Sequence, residues 1–142
     1  MVGHRHTSEI EQLASRVAGQ SIRLQFTPHL IPMVRGLLAT VYGRLRDPGL
    51  TAEDITTVLQ SAYRNAPCVD VLPVGTYPST KWVRQTNRAL LSVQVDTRTG
   101  QLIVISAIDN MVKGQAGQGV QCLNLMVGLP AETGLPLLPF YP

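Results

Sequence analysis

The feature of this sequence that most constrains its fold is an apolar run that a glycine-rich segment follows directly. Leu102–Ile108 is apolar at almost every position, which predicts a strand buried on both faces. Asp109 or Asn110 can then act as the N-cap of a helix that runs from about 110 to 127. These residues together predict a buried strand that leads straight into a helix.

Three glycines interrupt the predicted helix, at Gly114, Gly117 and Gly119. An interior helix glycine costs about 0.5–1 kcal/mol relative to alanine. We therefore expect another backbone or a ligand to lie very close to this segment, and the N–H groups at its start suit an anion. The glycine spacing is weakly similar to a dinucleotide-binding fingerprint, but the βαβ unit and the later acidic residue of that fingerprint are missing.

Length and composition favour a single domain, 1–142, with a substantial core. The chain is 44% hydrophobic and only 15% charged, which is unusually apolar for an independent soluble domain. Its net charge of +3 is scattered, so a nucleic-acid partner is not expected. No apolar stretch approaches the ~20 residues that span a membrane, and because Met1–His6 lacks the apolar segment of a signal peptide, none is expected here. A cytoplasmic protein is predicted, and the spacing of Cys68 and Cys122 predicts two reduced, buried thiols and no metal site.

Polar residues before apolar stripes predict two further helices. Ser8 and Glu11 have the spacing of a capping box, and Gly19 ends the helix that follows them. Thr51 begins the second helix, which Pro67 closes.

Alternating or β-branched stretches predict the strands of the domain. They are Ile22–Thr27, Met33–Arg44, Cys68–Leu72, and the hairpin strands Ala89–Val95 and Gln101–Ile108. Pro73–Thr80 is rich in turn-forming residues and predicts a loop. This order predicts an α+β fold with a mixed, mostly antiparallel sheet and helices on one face. Because the Leu102–Ile108 strand is apolar on both sides, a second subunit is expected to cover the other face.

Some polar side chains stand out as candidates for chemistry. His4 and His6, two positions apart, lie on the same side of an extended segment and suit proton transfer near neutral pH. Composition alone favours an exposed terminal segment there, and a loop histidine at His29. Arg35 and Lys81 suit an anionic substrate, although solvated surface charges fit their spacing better.

Four separated motifs in order carry a family resemblance. The chain resembles the N-acetyl-γ-glutamyl-phosphate reductases, arginine-pathway enzymes of the semialdehyde dehydrogenase type, over His4–Gln12, Phe26–Gly36, Thr80–Arg84 and Ser106–Gln118. The resemblance implies the C-terminal domain fold of glyceraldehyde-3-phosphate and semialdehyde dehydrogenases. It covers only the C-terminal part of the family's chain, without the nucleotide-binding domain or the nucleophilic cysteine. Met1 is therefore expected to be a start inside a longer gene or in a truncated copy.

The resemblance also implies a chemistry for the complete enzyme. A thiolate attacks the acyl carbonyl of N-acetyl-glutamyl phosphate and displaces phosphate to form a thioester; hydride from NADPH then reduces the thioester to N-acetylglutamate semialdehyde, which releases the thiolate. A histidine acts as acid and base. We favour His6 over His4, because His6 directly precedes the predicted helix cap, with His4 as its partner or the reverse. A homo-oligomer, dimer or tetramer, is implied.

The remaining site residues follow from the same resemblance. Arg35, Lys81 and Asn87 are implied to contact substrate. Asn110 and Gly114 are implied to lie near the cofactor, in a helix of about 109–128 that packs on the nucleotide-binding domain. Two departures affect the substrate loop: Gln85 replaces a usual glycine, and Ala89 a common cysteine. The alternative to an enzyme part is a non-catalytic truncated paralogue that acts only in oligomerisation.

Overall fold

A computed structural model describes residues 4–139 of the chain. It separates into two compact units, Met1–Met33 and Val34–Pro142, which are described individually. The ends of the predicted domain 1–142 lie outside the described residues. No helix within residues 4–139 is long and apolar enough to cross a membrane.

Helix α1, His6–Ala18, forms the first unit together with an extended segment. Gly19 ends α1 with a left-handed φ of 65°, as predicted. The predicted capping box is wrong, because the N-cap is Arg5, three residues before Ser8, and it makes no side-chain cap. His6 is therefore the first residue of α1 and does not lie in an extended segment before the cap, as predicted. The Ser8 hydroxyl instead donates to the Arg5 carbonyl at 3.3 Å.

The predicted strand Ile22–Thr27 is extended but is not part of a sheet. Its side chains alternate in exposure as the sequence predicts, with Ile22, Leu24 and Phe26 half-buried and the residues between them exposed. Its backbone bonds to α1 instead of to a strand. The Ile22 N–H donates to Ser15 Oγ at 2.8 Å, and the Leu24 N–H donates to Glu11 Oε1 at 3.0 Å. The strand prediction is therefore wrong, because side chains of α1 supply the acceptors.

The second unit is a four-stranded mixed sheet with helices. Its elements in chain order are β1 Leu37–Arg44, α2 Ala52–Ala62, β2 Val69–Val71, α3 Thr80–Val83, β3 Ala89–Asp96, β4 Gln101–Ile108, a π-helical turn Val112–Ala116 and α4 Gly117–Met126. The strand order is β1-β4-β3-β2. Strand β4 is antiparallel to both β1 and β3, and only β2 and β3 are parallel. The predicted mixed, mostly antiparallel α+β fold is confirmed.

Strand β4 is central because both of its edges are paired. Leu37 of β1 and Ala89 of β3 both lie opposite Ile108, so the three strands are aligned at this end. The side chains of β4 are half-buried along both faces, and Ala107 is fully buried. The apolar run of the sequence is thus the middle of the sheet, and its C-terminal end delivers the chain to Asp109.

The described core is small and lies around a short helix that the sequence does not predict. Val83 of α3 packs with Leu90 and Ala107, and Leu72 packs against this cluster. Helix α3 begins where Ser79 Oγ accepts the N–H of Lys81 at 3.2 Å. Four residues are too few for a helical hydrophobic pattern, so the capping serine is the only local signal.

Helix α2 and the edge strand β1 agree with the sequence predictions except at one end of each. The Thr51 and Asp54 capping box is present, although the helix ends at Ala62, before the predicted stop at Pro67. Strand β1 begins at Leu37 and not at Met33. Its apolar side chains remain exposed in the single chain: Leu37 45%, Leu38 53%, Val41 58% and Tyr42 62%.

The glycine-rich segment forms a π-helical turn before α4, in place of one continuous helix. The N-cap of this turn is Met111, so the predicted N-cap at Asp109 or Asn110 is wrong. Asp109 Oδ1 nevertheless accepts the N–H groups of Met111 and Val112. A Cβ at Gly117 would lie 2.1 Å from Asn87 Oδ1 and 2.7 Å from the Val112 carbonyl oxygen. Gly119 has nothing within 4 Å. Close packing therefore explains Gly117 and does not explain Gly119.

Alanine at these two glycines should have opposite effects. Gly117→Ala forces the backbone and the buried Asn87 apart, and we expect it to lower the free energy of unfolding by about 1–3 kcal/mol. Gly119→Ala, the matched control, should raise it by up to about 1 kcal/mol through helix propensity. Urea unfolding monitored by circular dichroism measures both. Equal effects of the two substitutions would contradict the close-packing interpretation of Gly117.

Candidate functional site

The centre of the candidate site is the fully buried carboxylate of Asp109, at the C-terminal end of β4. Oδ2 accepts from Arg35 Nε and from the Gln85 N–H, each at 2.6 Å. Oδ1 accepts the N–H groups of Met111 and Val112, each at 2.8 Å. One side chain therefore joins the segment before β1, the loop after α3 and the start of the π-helical turn.

These donors keep the Asp109 carboxylate ionised although it is buried. Burial alone raises the pKa of Asp109. The Arg35 guanidinium and the N–H groups of Val112, Gln85 and Met111 lower it, and together they outweigh burial, so the pKa lies below its ordinary value. Arg35 is the only charged donor among these groups, and its side chain keeps 27% exposure.

Asn110 and Gly114, the predicted cofactor residues, follow this carboxylate in sequence. Asn110 Oδ1 accepts the Gly36 N–H at 2.7 Å, which ties the start of β1 to the end of β4. A Cβ at Gly114 would lie 3.3 Å from Ile108 Cδ1 and 3.4 Å from the Asp109 carbonyl oxygen. Both residues therefore have structural roles within the chain, and the side-chain NH₂ group of Asn110 makes no hydrogen bond to residues 4–139.

Gln85 has a strained backbone, with φ of 62°. It is the one non-glycine residue in the described chain with a left-handed φ, and this conformation costs an L-residue about 1–2 kcal/mol. Its N–H reaches the Asp109 carboxylate because the loop turns in this way. The family resemblance implies a glycine at this position, and glycine adopts a left-handed φ without strain.

Asn87, a predicted substrate residue, is completely buried. Its Nδ2 donates to Gln121 Oε1 at 2.8 Å and to Cys68 Sγ at 3.5 Å. Its N–H donates to the Pro136 carbonyl at 2.7 Å, while Oδ1 has no hydrogen-bond partner in the described chain. Asn87 thus has no exposed surface for a ligand in this structure, and its contacts are those of a positioning residue.

The network continues from Asn87 to a cation that the sequence analysis did not identify. Lys113 Nζ, in the π-helical turn, donates to the same Gln121 Oε1 at 2.5 Å. A lysine and a glutamine eight positions apart give no local pattern, because a π-helical turn changes the usual helical spacing. The glycines that follow Lys113 in the sequence indicate a closely packed segment, but they do not identify the side chains that form its contacts.

His4 and His6 lie together in the first unit. Their ring centroids are 4.9 Å apart in an edge-to-face arrangement, and the His4 ring also lies 5.2 Å from that of Phe26. His4 Nδ1 accepts the His6 N–H at 3.2 Å. His4 is therefore engaged as an acceptor, whereas the His6 side chain is exposed.

The other predicted residues have more open surroundings. Lys81 is exposed in α3. Both cysteines are free, and Cys68 is buried as predicted, but Cys122 is exposed on α4. The prediction for Cys122 is wrong because the surface of α4 that carries it is not covered within the described chain. Among residues 4–139 no three potential ligand side chains are grouped as a metal site.

Comparisons of the sequence and of the fold identify the family of this chain. A family model described as the dimerisation domain of semialdehyde dehydrogenase matches residues 1–110, and the chain belongs to this family. Aspartate semialdehyde dehydrogenase II from Vibrio cholerae has the same fold, with a TM-score of 0.70 and 19% identity, over 87% of this chain and 37% of that one. The same enzyme complexed with ASA gives a TM-score of 0.69.

Sequence relatives narrow the family. Over all 142 residues the chain is 79% identical to the N-acetyl-γ-glutamyl-phosphate reductases of Parasynechococcus marenigrum and a Synechococcus species. It is 76% identical to that of Prochlorococcus marinus. The predicted resemblance is confirmed. The chain spans 40% of the length of each of these relatives.

Removing the charge of Asp109 should destabilise the chain in a pH-dependent way. We expect Asp109→Asn to lower the free energy of unfolding by about 2–3 kcal/mol at pH 7, below the usual loss for a buried pair because Arg35 keeps access to water. The lowered pKa means that this contribution is present above the ordinary carboxyl pKa of about 4 and is lost as pH falls through the folded value.

Thermal unfolding between pH 7 and pH 3 measures this effect. The melting temperatures of the wild type and of Asp109→Asn should differ most at pH 7 and converge in acid. Glu53→Gln, at an exposed position, is the control for loss of one surface carboxylate. A difference that stays constant over the whole pH range would contradict the assigned role of the charge.

Glycine at position 85 should relieve the strained loop. Gln85→Gly is expected to raise the free energy of unfolding by about 0.5–1 kcal/mol, since the gain at positive φ exceeds the entropic cost of glycine. Gln85→Ala removes the same side chain without relieving φ and should not stabilise the chain. Denaturant unfolding compares the two variants, and an alanine variant as stable as the glycine variant would refute the explanation.

Proposed function

We propose that this chain is the C-terminal catalytic and dimerisation part of an N-acetyl-γ-glutamyl-phosphate reductase. The complete enzyme would be an NADP-dependent oxidoreductase of arginine biosynthesis, acting in the cytoplasm. It reduces N-acetyl-glutamyl phosphate to N-acetylglutamate semialdehyde with release of phosphate. The observation that carries the proposal is 79% identity to two such reductases across the entire chain.

His6 is proposed as the acid/base residue of the complete enzyme. The hydrogen bond from the His6 N–H to His4 Nδ1 supports this choice, because protonation of that nitrogen would break the bond. His4 then orients the segment, and the exposed His6 imidazole is free to accept and return a proton. The contacts of His4 and His6 and the family resemblance together support these two roles.

Arg35 and Lys81 are proposed to bind the anionic substrate. Asp109 holds Arg35 by Nε, which leaves the terminal guanidinium nitrogens of a partly exposed side chain for a carboxylate or phosphate. Lys81 supplies an exposed cation on α3. Asn87 is proposed to act as a positioning residue, because its side chain holds Gln121 through a hydrogen bond and does not reach a ligand.

Of the two residues near the end of β4 that are proposed to lie near the cofactor, Asn110 has a side-chain group that could bind a nicotinamide. The side-chain Oδ1 of Asn110 accepts the Gly36 N–H, and the side-chain NH₂ group has no hydrogen bond within the described residues, so it can donate to a carboxamide oxygen. Gly114 contributes by close packing on Ile108. The bound cofactor would supply the hydride. Within this chain, Asn110 would orient it.

A homo-oligomer is proposed for the complete enzyme, as a dimer or tetramer. The exposed apolar side chains of β1 support this, because a strand with Val41 58% and Tyr42 62% exposed needs cover. The same surface favours the second candidate function, a short paralogue that only associates with other chains. Activity of the complete chain distinguishes the two.

The test uses the complete reductase chain that carries this segment. It should reduce NADP with N-acetylglutamate semialdehyde in a phosphate-dependent reaction. His6→Asn should lower kcat by roughly 10²–10⁴, the usual contribution of a general acid/base. His29→Asn, at an exposed histidine outside the proposed site, is the matched control and should retain kcat.

Each alternative gives a different result in this assay. A large loss in His4→Asn with little loss in His6→Asn would reverse the two roles. Equal activity of all three variants would make the His4 and His6 pair structural. A complete wild-type chain that is folded and shows no phosphate-dependent turnover would refute the enzymatic proposal and favour the oligomerisation protein.

A further inference from the structure

Lys113 is a partly buried cation attached to a buried amide network. Its Nζ donates to Gln121 Oε1 at 2.5 Å, and the same oxygen accepts from Asn87 Nδ2 at 2.8 Å. Asn87 has no exposed surface and is fixed through its N–H to the Pro136 carbonyl. Gly117 lies so close to Asn87 Oδ1 that no side chain fits between them. The oxygen that accepts from the Lys113 ammonium group is therefore held by a well-packed residue.

No carboxylate within residues 4–139 neutralises this lysine. The ion pairs in which both partners are described residues join Arg35 to Asp109, Arg88 to Asp70, and Arg98 to Asp96. Gln121 gives Lys113 an acceptor but no charge. An ammonium group has three N–H donors, so two remain after the bond to Gln121. A half-buried cation with a neutral anchor favours an anion as its next ligand.

The surroundings favour a phosphate over other anions. Lys113 lies in the π-helical turn Val112–Ala116, which begins two residues after Asn110, the proposed cofactor residue. Single π-helical turns often occur at functional sites. Lysine binds phosphate as a point charge, and both reactants of the proposed reaction, an acyl phosphate and NADPH, carry phosphate groups.

We propose that Lys113 binds a phosphate group in the complete reductase, and that Gln121 and Asn87 are positioning residues for its ammonium group. The proposal rests on the proposed function and adds a binding residue to it. The phosphate belongs either to the acyl phosphate substrate or to the cofactor. Both sources present a phosphate group to the lysine, and titration with each ligand in turn distinguishes them.

The experiment uses the complete reductase chain and equilibrium titration calorimetry, with inorganic phosphate and NADP as separate probes. Lys113→Gln should weaken one of the two affinities by about tenfold, the loss of one charge-assisted hydrogen bond. Lys113→Arg should recover most of the affinity, and Gln121→Leu should lose a smaller part of it. Arg98→Gln, whose side chain is 83% exposed in the hairpin turn, is the matched control.

Steady-state kinetics in the oxidative direction give a second measurement. KM for the affected ligand should rise with the titrated affinity, while kcat changes by less than about threefold, because binding and not chemistry is altered. A change confined to inorganic phosphate assigns Lys113 to the acyl phosphate. A change confined to NADP assigns it to the cofactor.

Affinities for both probes that stay within about twofold in Lys113→Gln would overturn the proposal. The same result with a lowered melting temperature would indicate that Lys113 pairs with a carboxylate elsewhere in the complete chain. A wild-type chain that binds neither probe would also overturn it. A chain that binds phosphate through Lys113 but does not turn over would refute the proposed function and leave this site intact.

Discussion

The hydrogen bonds of the Asp109 carboxylate are the interaction on which the candidate site depends. Four donors from three separate segments converge on its two oxygens. Replacing any one of these donors would leave a buried acceptor less satisfied, at the full cost of its desolvation. The same carboxylate fixes Arg35, holds the strained Gln85 loop and starts the π-helical turn, so geometry at all three places is coupled through one side chain.

Much of the apolar surface of the second unit is exposed in the single chain. The described buried hydrophobic residues are only Cys68, Val83, Leu90, Val93 and Ala107. On α4, Leu123 is 56%, Leu125 64% and Met126 83% exposed. Apolar patches of this kind mark surfaces that bind other polypeptide. The high hydrophobic content of the sequence therefore lies in exposed apolar surface as well as in an internal core.

The sequence predicts the regular elements where pattern and partner are both local. The β3–β4 hairpin and the capped helix α2 are of this kind, and both are confirmed. The Ile22–Thr27 segment has the alternation of a strand, but alternation cannot specify that Ser15 and Glu11 of a helix accept its N–H groups. At the site, the glycines and the departure at Gln85 mark the right places. The buried role of Asn87 and its link to Lys113 depend on contacts between segments and could not be predicted.

Because β1 pairs with β4, the sheet cannot be completed until β4 has been synthesised. Hairpin β3–β4 can close within microseconds, whereas β1 must wait for β4, and Arg35 for Asp109, which lies 74 positions later. At about 5–20 residues per second, translation of that interval takes roughly 4–15 s. During this time the apolar β1 emerges from the ribosome with no strand to pair with. Vectorial synthesis therefore exposes this chain to chaperones and to aggregation at one defined stage, until β4 is made.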